Sequence, residues 1–403
     1  MDHRATAWAG SGAMILTGRP DGPPLGAPAP LIDLVEHAAA LVYRHSDGRV
    51  PVDGLGLLAE RAALSGLTRQ GAISCGGSTH LMRSADGWLG VSLARPDDIA
   101  ALPAWLGRAV PEGDPWATVH EAVGGMSTTE LDEKAALLGL PFAALGSVSP
   151  SACDGLDLPL RAACLAEPGV APRPIEGARV VDLSSLWAGP LCGQLLAAAG
   201  ADVIKVESTA RPDGARRGPM SFFDLLNGEK RSVALDVSAA SGRRALRRLI
   251  ETADVVIEST RPRALEQMGI VASDILEQSG GPRVWASITS HGRDPGPGQR
   301  VGFGDCAAVA GGLVAHDDLG PCFLADAVAD PLAGLVAAAA VLEALNAGGR
   351  WLLDAAMAPL AATATGPLLD APVEQAQPPR ARKIWHRAPV FGSDTASVLE
   401  GVA

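Results

Sequence analysis

The stretch that decides the fold is RVVDLSSLWAGPLCGQLLAAAGADVIKVE, residues 179–207. It opens with a compact apolar run at 179–184. A helical stretch follows at 190–200, with proline at its start and glycine at its end. A second apolar run occupies 201–207. Because apolar strands separated by helices are typical of a parallel sheet covered on both faces, the stretch predicts the opening β-α-β unit of an α/β domain.

Later segments extend this pattern. Apolar strands are predicted at 232–237, 254–259 and 283–288, with a helix at 240–253. We therefore expect an α/β protein with a Rossmann-like, doubly wound parallel sheet domain. The earlier half instead mixes a hairpin with helices and a strand, as in 80–107, which predicts an additional, smaller α+β domain.

Composition shifts suggest five segments. The linker is expected where proline and glycine are frequent. The predicted segments are a partial large-domain-like segment at 1–65, the small α+β domain at 66–165, the linker at 166–178, the Rossmann-like domain at 179–365, and a tail returning to the large domain at 366–403.

An internal repeat supports the partial segment at the beginning of the chain. Residues 29–42 resemble 327–342, and residues 48–58 resemble 349–360. The comparison places Asp33 in the slot of Asp330, and Asp53 in that of Asp354. The shared glycine-arginine pair and the aspartate that follows it favour a true duplication over chance similarity among alanine-rich helices.

Bulk properties narrow the class of function. A formal net charge of -12 argues against a nucleic-acid partner. The six cysteines form no C-x-x-C pair, so no metal site is expected. No secretory leader is recognised, which predicts a cytoplasmic location with reduced thiols. The alanine-rich run at 332–345 contains Glu343 and is too short for a membrane span, so no membrane association is expected.

The turn after the first strand argues against a nicotinamide-dinucleotide site. Such a site needs G-x-G-x-x-G so that the backbone can approach a pyrophosphate. The turn here is Trp187-Ala188-Gly189-Pro190, where the first glycine is missing and proline removes an amide donor. Lys230 and Arg231 stand before the strand at 232–237, where they could hold phosphates or lie in a solvated turn.

Four motifs occur in order: the stretch at 179–207, LNGEKRSVALDV at 226–237, ADVVIESTRPRALEQMGI at 253–270 and VADPLAGLVAA at 328–338. As a set they resemble the family III CoA-transferases, which include formyl-CoA and carnitine CoA-transferases and alpha-methylacyl-CoA racemases. The resemblance covers most of 176–365. The first half resembles later parts of the same family, so the segment order looks permuted or fused.

The resemblance implies an acyl-CoA:carboxylate CoA-transferase with Asp330 as the nucleophile, acting through a mixed anhydride and then an aspartyl-CoA thioester. Coenzyme A would be a cosubstrate beside a carboxylic acid acceptor, with no permanently bound cofactor. A homodimer, possibly interlocked, is also implied. The resemblance further implies CoA contacts at Trp187, Ala188, Arg211, Lys230, Ser259, Thr260 and Arg300, and a glycine loop over the nucleophile at Gly76 and Gly77.

Several alternatives stay open. Asp330 could be only a helix N-cap, and Asp326 a structural or solvated carboxylate. Ser259 and Thr260 stand where the family often has asparagine and phenylalanine, and Gln267 where it often has arginine, which would suit an inactive CoA-binding or scaffold subunit. The racemases pair the aspartate with a histidine in a GHD motif, and Phe303 holds that position here, although His291 is near in sequence. Asp33 could be a relic or could contribute across a dimer interface.

Overall fold

The computed structural model describes residues 2–151, 155–165, 170–278 and 280–401. Part of the predicted linker, 166–169, lies outside these residues, as do Cys153 and the last two residues of the tail. The strands are β1 Thr79–Arg83, β2 Trp88–Ser92, β3 Phe142–Ala144, β4 Arg161–Cys164, β5 Arg179–Asp182, β6 Asp202–Ser208, β7 Arg231–Leu235, β8 Val255–Glu258, β9 Val284–Ser287, β10 Ala315–Asp317, β11 Gly320–Cys322 and β12 Trp351–Asp354. The α-helices are α1 His3–Gly10, α2 Ala29–His45, α3 Gly54–Leu57, α4 Glu60–Ser65, α5 Pro96–Leu106, α6 Trp116–Gly124, α7 Thr128–Leu138, α8 Ala188–Ala198, α9 Met220–Asn227, α10 Ala240–Glu251, α11 Pro262–Glu266, α12 Ala272–Leu276, α13 Gly304–Gly311, α14 Ala329–Ala347, α15 Met357–Thr363 and α16 Thr395–Glu400.

A seven-stranded sheet forms the centre of the large domain. Its strand order is β4-β12-β9-β8-β5-β6-β7, and every pairing is parallel except that of β4 with β12. The chain runs outward from β5 to β7 and then returns to β8 on the other side of β5. This reversal is the topological switch point of a doubly wound sheet. The predicted fold class is confirmed.

The long helix α14 is the core of the large domain. Most of its residues are buried, including the whole run from Pro331 to Leu342. It packs against α8 and α2, and Gly334 permits close contact, since a Cβ there would lie 2.5 Å from the Ala188 carbonyl oxygen. By length and composition α14 could cross a membrane, but 83% of its most apolar window is buried inside the protein. An element that is apolar all round is expected in such a position.

The small domain is built on the antiparallel sheet β1-β2-β3. Helices α5, α6 and α7 cover it through a separate apolar cluster that contains Trp105 and Phe142. The segment predicted as the small domain, 66–165, ends in residues that pair with the large sheet. Residues 161–164 form β4, which joins the large sheet as an antiparallel edge strand through Leu352 and its neighbours. No local pattern marks this strand, because its pairing partner lies almost 190 residues later.

The internal repeat appears in the three-dimensional structure. The two copies align at a constant spacing of 301 residues. At this spacing the residues of α1 match those of α13, and Pro30 in α2 matches Pro331 in α14. The tail returns to the large domain, where Asp394 and Thr395 accept hydrogen bonds from backbone amides of β7 at 2.8 and 3.0 Å. The two copies of the repeat meet where α2 packs on α14.

Candidate active site

A cleft of about 290 Å³ opens at the carboxyl ends of the central strands. Loops after β5, β8, β9 and β12 all contribute to it, so the cleft lies at the switch point where doubly wound sheets bind ligands. The residues lining it include Arg95, Ser185, Ala188, Ser259, Thr260, Arg261, 288–292, 300–303, Asp330 and Met357. Two larger or similar surface cavities exist elsewhere, but neither contains Asp330.

Asp330 lies in the first turn of α14, and its carboxylate forms part of the cleft wall. Its Oδ2 accepts a hydrogen bond of 3.2 Å from the Gly304 amide. Glycine is required at 304, because a Cβ would overlap Oδ2 and lie 2.6 Å from the Ala327 carbonyl oxygen. Burial raises the pKa of Asp330 to about 7, with Asp305 adding to the rise. The carboxyl is therefore poised between its two protonation states near neutral pH.

Two more carboxylates stand behind Asp330. Asp305, in α13, is buried beside Thr79, and burial together with Asp326 raises its pKa to about 6. Asp326 is fully buried. Its carboxylate accepts two hydrogen bonds from the Arg61 guanidinium, one from Nε at 2.8 Å and one from Nη2. Asp326 is thus structural rather than solvated. Its turn is unusual, since Ala325 and Ala327 both have positive φ, at 53° and 44°.

Arg61 was not predicted as a site residue. Its guanidinium lies 5.2 Å from the centre of the Trp187 ring, in cation–π geometry. The predicted glycine loop approaches the same group, because a Cβ on Gly76 would lie 3.4 Å from Arg61 Nη2. Gly77 has φ of 77°, which favours glycine. The loop therefore lies beside the carboxylate cluster. No local signal reveals Arg61, since its partner is 265 residues away.

Four of the predicted CoA-binding residues line the cleft together with Asp330: Ala188, Ser259, Thr260 and Arg300. Ser259 Oγ accepts a 3.1 Å hydrogen bond from the Ser185 amide, which ties the loops after β8 and β5 together. Arg300 forms a two-pronged ion pair with Asp132 of the small domain, at 2.6 Å for each prong. The small domain thus closes one side of the cleft.

Three predicted residues lie elsewhere. Trp187 is buried directly before α8, against Phe222. Arg211 is exposed and does not line the cleft. The predicted position of Lys230 needs correction, because the residue lies neither in a solvated turn nor against the cleft. Its Nζ is buried and donates to Asp182 at 2.8 Å and to the Pro190 carbonyl at 2.9 Å.

The Lys230 position has a simple physical reason. Burial lowers the pKa of Lys230, and the Asp182 carboxylate opposes that change. Gly193 provides the space, since a Cβ there would lie 2.9 Å from Asp182 and 3.0 Å from Lys230 Nζ. The ion pair with Asp182 joins the end of β5 to the residue before β7, and the bond to Pro190 adds the start of α8. The cation therefore has structural partners and is not oriented toward a phosphate.

The cleft wall also holds polar atoms that have no protein partner. Thr260 Oγ1, Ser290 Oγ and His291 Nδ1 are buried without a hydrogen bond. Burial, followed by the charge of Arg300, lowers the pKa of His291 to about 4, so its imidazole is neutral. An unsatisfied buried polar group costs about 1–3 kcal/mol, so three in one cleft indicate a site for a polar ligand. Ser290 was not predicted, and His291 was noted only as a histidine near in sequence to the position of the racemases' histidine.

Asp33 does not occupy the slot of Asp330, which corrects the sequence comparison. At the constant spacing of the repeat, Ala29 corresponds to Asp330. Asp33 lies one turn further into α2, where its side chain is 48% exposed and pairs with Arg4 at 2.6 Å. The sequence comparison matched two aspartates by shifting the helices relative to each other. Within the residues described, no cluster of three or more histidine, cysteine or acidic side chains could hold a metal ion.

A sequence model described as CoA-transferase family III matches residues 175–382, slightly more than half of the chain. The chain belongs to this family. The matched region contains Asp330 and the cleft loops after β5, β8, β9 and β12. Arg61 and the glycine loop lie outside it.

Relatives of this family III chain are found among known proteins. A Fusarium pseudograminearum protein named acyl-CoA transferase is 33% identical over 194 residues, covering 44% of this chain and 42% of that protein. The succinyl-CoA--D-citramalate CoA-transferase of Chloroflexus aurantiacus is 31% identical over 185 residues, covering 43% and 46%. A CaiB/BaiF family crystal structure from Brucella suis has 31% identity and a TM-score of 0.43, covering 47% and 55%. The chain spans less than half the length of these two curated relatives.

Proposed function

We propose that this chain transfers coenzyme A from an acyl-CoA to a carboxylic acid, with Asp330 as the covalent nucleophile. The observation that carries the proposal is the position of Asp330: a carboxylate in the first turn of a buried helix, facing the cleft at the switch point. A mere N-cap would not need to face a ligand cleft. Membership of the family and the names of the relatives support the same activity.

The cleft suits an acyl-CoA in two respects. Its unpartnered atoms, Thr260 Oγ1, Ser290 Oγ and His291 Nδ1, match a ligand rich in amides, whose N–H groups donate and whose carbonyl oxygens accept hydrogen bonds. Arg261, an exposed arginine at the cleft, is suited to phosphates. Lys230 does not take part in this proposal, because its charge is used by Asp182.

In the proposed reaction, an Asp330 oxygen attacks the thioester carbonyl, the carbon–sulfur bond breaks and CoA leaves as thiolate. The product is a mixed anhydride. The thiolate then attacks the aspartyl carbonyl, which releases the donor acid and forms an aspartyl-CoA thioester. The acceptor carboxylate attacks that thioester, and the freed thiolate finally attacks the acceptor carbonyl, which regenerates Asp330. Charge balances at every step, and no proton is gained or lost.

The surroundings of Asp330 suit this chemistry. A carboxylate partly withdrawn from water is a stronger nucleophile than a hydrated one. The Gly304 amide and the helix start favour the ionised form, while burial opposes it. With a pKa near 7, a large fraction of Asp330 is ionised and reactive at neutral pH.

The relatives suggest which substrates to test. Their names include D-citramalate, (R)-2-hydroxy-4-methylpentanoate and oxalate as acceptor acids, with succinyl-CoA or formyl-CoA as donors. Each of these acids carries a second oxygen function beside the reacting carboxylate. The polar wall of Thr260, Ser290 and His291 is compatible with such acids, so we propose short, oxygenated acids as the acceptor class.

The test is a transfer assay. The chain is incubated with succinyl-CoA, formyl-CoA or acetyl-CoA and a panel of acids, and new acyl-CoA species are measured by mass spectrometry. We expect transfer by the wild type and none by Asp330→Asn, with Asp33→Asn as a matched control that keeps activity. Absence of transfer together with absence of CoA binding would refute the proposal and favour the inactive scaffold.

A second candidate activity is epimerisation at the carbon next to the thioester. His291 favours it, because a neutral imidazole with an unpartnered Nδ1 lines the same cleft as Asp330. Against it, Phe303 takes the position of the family's catalytic histidine. Exchange of the α-hydrogen of a 2-methylacyl-CoA in deuterated water, abolished by His291→Ala, would support this activity. No exchange would exclude it.

We also propose that the chain works in the cytoplasm as a homodimer. Cys75, Cys192, Cys306 and Cys322 are buried thiols, which suits a reducing compartment. The family resemblance implies a dimer of interlocked chains. Light scattering on the purified protein measures the mass directly, and a monomer at micromolar concentration would contradict the dimer.

A further inference from the structure

We propose that Arg61 is the positioning residue that holds the start of the Asp330 helix in place and supplies positive charge beside the carboxylate cluster. The inference deepens the proposed role of Asp330 as nucleophile. It assigns a function to the half of the chain outside the family match, since Arg61 lies in α4, directly after the first copy of the repeat.

The electrostatic problem is the grouping of three carboxylates. Burial raises the pKa of Asp330 in α14, and the charges of Asp305 in α13 and Asp326 in the preceding turn raise it further. Burial and the charge of Asp326 raise the pKa of Asp305 as well. Such a group would keep Asp330 protonated at neutral pH unless a cation stood beside it. Arg61 is the cation that lowers the pKa of both Asp330 and Asp305.

The other arginines at the cleft are directed away from the carboxylate cluster or are exposed. The guanidinium of Arg95 pairs with Asp98, that of Arg300 pairs with Asp132, and Arg261 is exposed. His291, the remaining titratable group on the wall, is neutral because burial lowers its pKa to about 4. Among the described groups that face Asp330, Arg61 therefore supplies the compensating charge.

Three contacts fix Arg61 in this place. Its guanidinium forms an ion pair with the fully buried Asp326. The same group lies over the Trp187 ring, and its Nη2 lies close to Gly76. The first contact stabilises a turn with two residues of positive φ directly before α14. The second reaches the start of α8, and the third reaches the glycine loop. One side chain thus connects the three elements that surround the nucleophile.

The test measures the pKa of Asp330 without any substrate. Aspartate carboxyl carbons are labelled with ¹³C, Asp330 is assigned by its loss in Asp330→Asn, and its chemical shift is followed against pH. Arg61→Gln should raise the titration midpoint by about one pH unit or more, since an opposite charge within a few ångströms shifts a carboxyl by roughly 1–3 pH units. Arg61→Lys should restore most of the change. Arg19→Gln is the matched control, because Arg19 is 26% exposed against 29% for Arg61 and pairs with Asp317 outside the cleft.

A second variant keeps the test decisive. Asp326→Asn removes an anion that raises the pKa of Asp330, so the midpoint should fall, opposite to the effect of Arg61→Gln. Arg61→Gln could fail to fold because Asp326 is left unpaired. In that case the variant carrying both Arg61→Gln and Asp326→Asn is compared with Asp326→Asn alone, and the Asp330 titration midpoint should again rise. An unchanged midpoint in that comparison would overturn the inference. Because no acyl-CoA is used, this failure is separate from a failure of the transfer assay.

Discussion

Replacing the proposed nucleophile should stabilise the folded chain at pH 8. Burial raises the pKa of Asp330 from its usual 3.8 to about 7. In the unfolded chain the carboxyl ionises near its usual pKa, so between pH 4 and 7 the unfolded state loses its proton first. The wild type is therefore destabilised progressively as pH rises through this window, and the effect is complete above about pH 7. Asp330→Asn, which cannot ionise, escapes this loss.

The size of the effect follows from the shift. A difference of about three pH units corresponds to about 4 kcal/mol, and partial contact with water reduces this to about 2–4 kcal/mol. The assay is urea denaturation of the wild type and Asp330→Asn at pH 5, 6, 7 and 8. We expect the variant's advantage to grow with pH up to about 7 and then to level off.

The control for this prediction is Asp33→Asn. Asp33 is exposed and forms a surface ion pair with Arg4, so its loss should change stability by about 1 kcal/mol or less. An Asp330→Asn variant that is less stable than the wild type at pH 8, or equally stable at all four pH values, would refute the reasoning that burial raises the pKa of Asp330.

Three further predictions concern the neighbours of Asp330. Gly304→Ala should slow formation of the aspartyl adduct at least about 10-fold, because its Cβ would displace the Asp330 carboxylate. Gly124→Ala is the control, since the space around Gly124 is open. Equal rates for Gly304→Ala and the wild type would contradict the geometry. Lys230→Met should lower the free energy of unfolding, measured by urea denaturation, by about 3–5 kcal/mol, because Asp182 is left buried without its partner. Unchanged stability together with weakened CoA binding would instead support the predicted CoA contact of Lys230. Ser290→Ala should leave stability nearly unchanged. It should weaken acyl-CoA binding, measured by calorimetry, about 5-fold, because one hydrogen bond with a net value of about 1 kcal/mol is lost. An unchanged Kd would show that Ser290 does not contact the ligand.

The parts of the fold that local patterns describe could be predicted. Apolar runs around 179–207 and the later strands repeat at the spacing of β-α-β units, because each strand must be buried on both faces. The position of Asp330 before a long apolar run indicated a carboxylate at a helix start. The cleft itself was not predicted, although the topology explains it, since loops after neighbouring parallel strands meet at one edge of the sheet.

What failed depended on distant partners. Lys230 looks like a surface cation in sequence, and only the approach of Asp182 shows that it is buried. The pairing of Arg61 with Asp326 spans 265 residues, and β4 finds its strand partner in β12. Side-chain charge and alternation do not encode such contacts. The repeat misled for another reason, because matching Asp33 to Asp330 broke the constant spacing of 301 residues that aligns the rest of the repeat.

The most direct test of the central claim is to locate the covalent bond. The wild type is incubated with the donor found in the transfer assay, the intermediate is trapped with hydroxylamine, and peptides are mapped by mass spectrometry. The proposed mechanism predicts a hydroxamate at Asp330 that depends on acyl-CoA and is absent from Asp330→Asn. Transfer activity without modification of Asp330, or modification at another carboxylate such as Asp305, would contradict it.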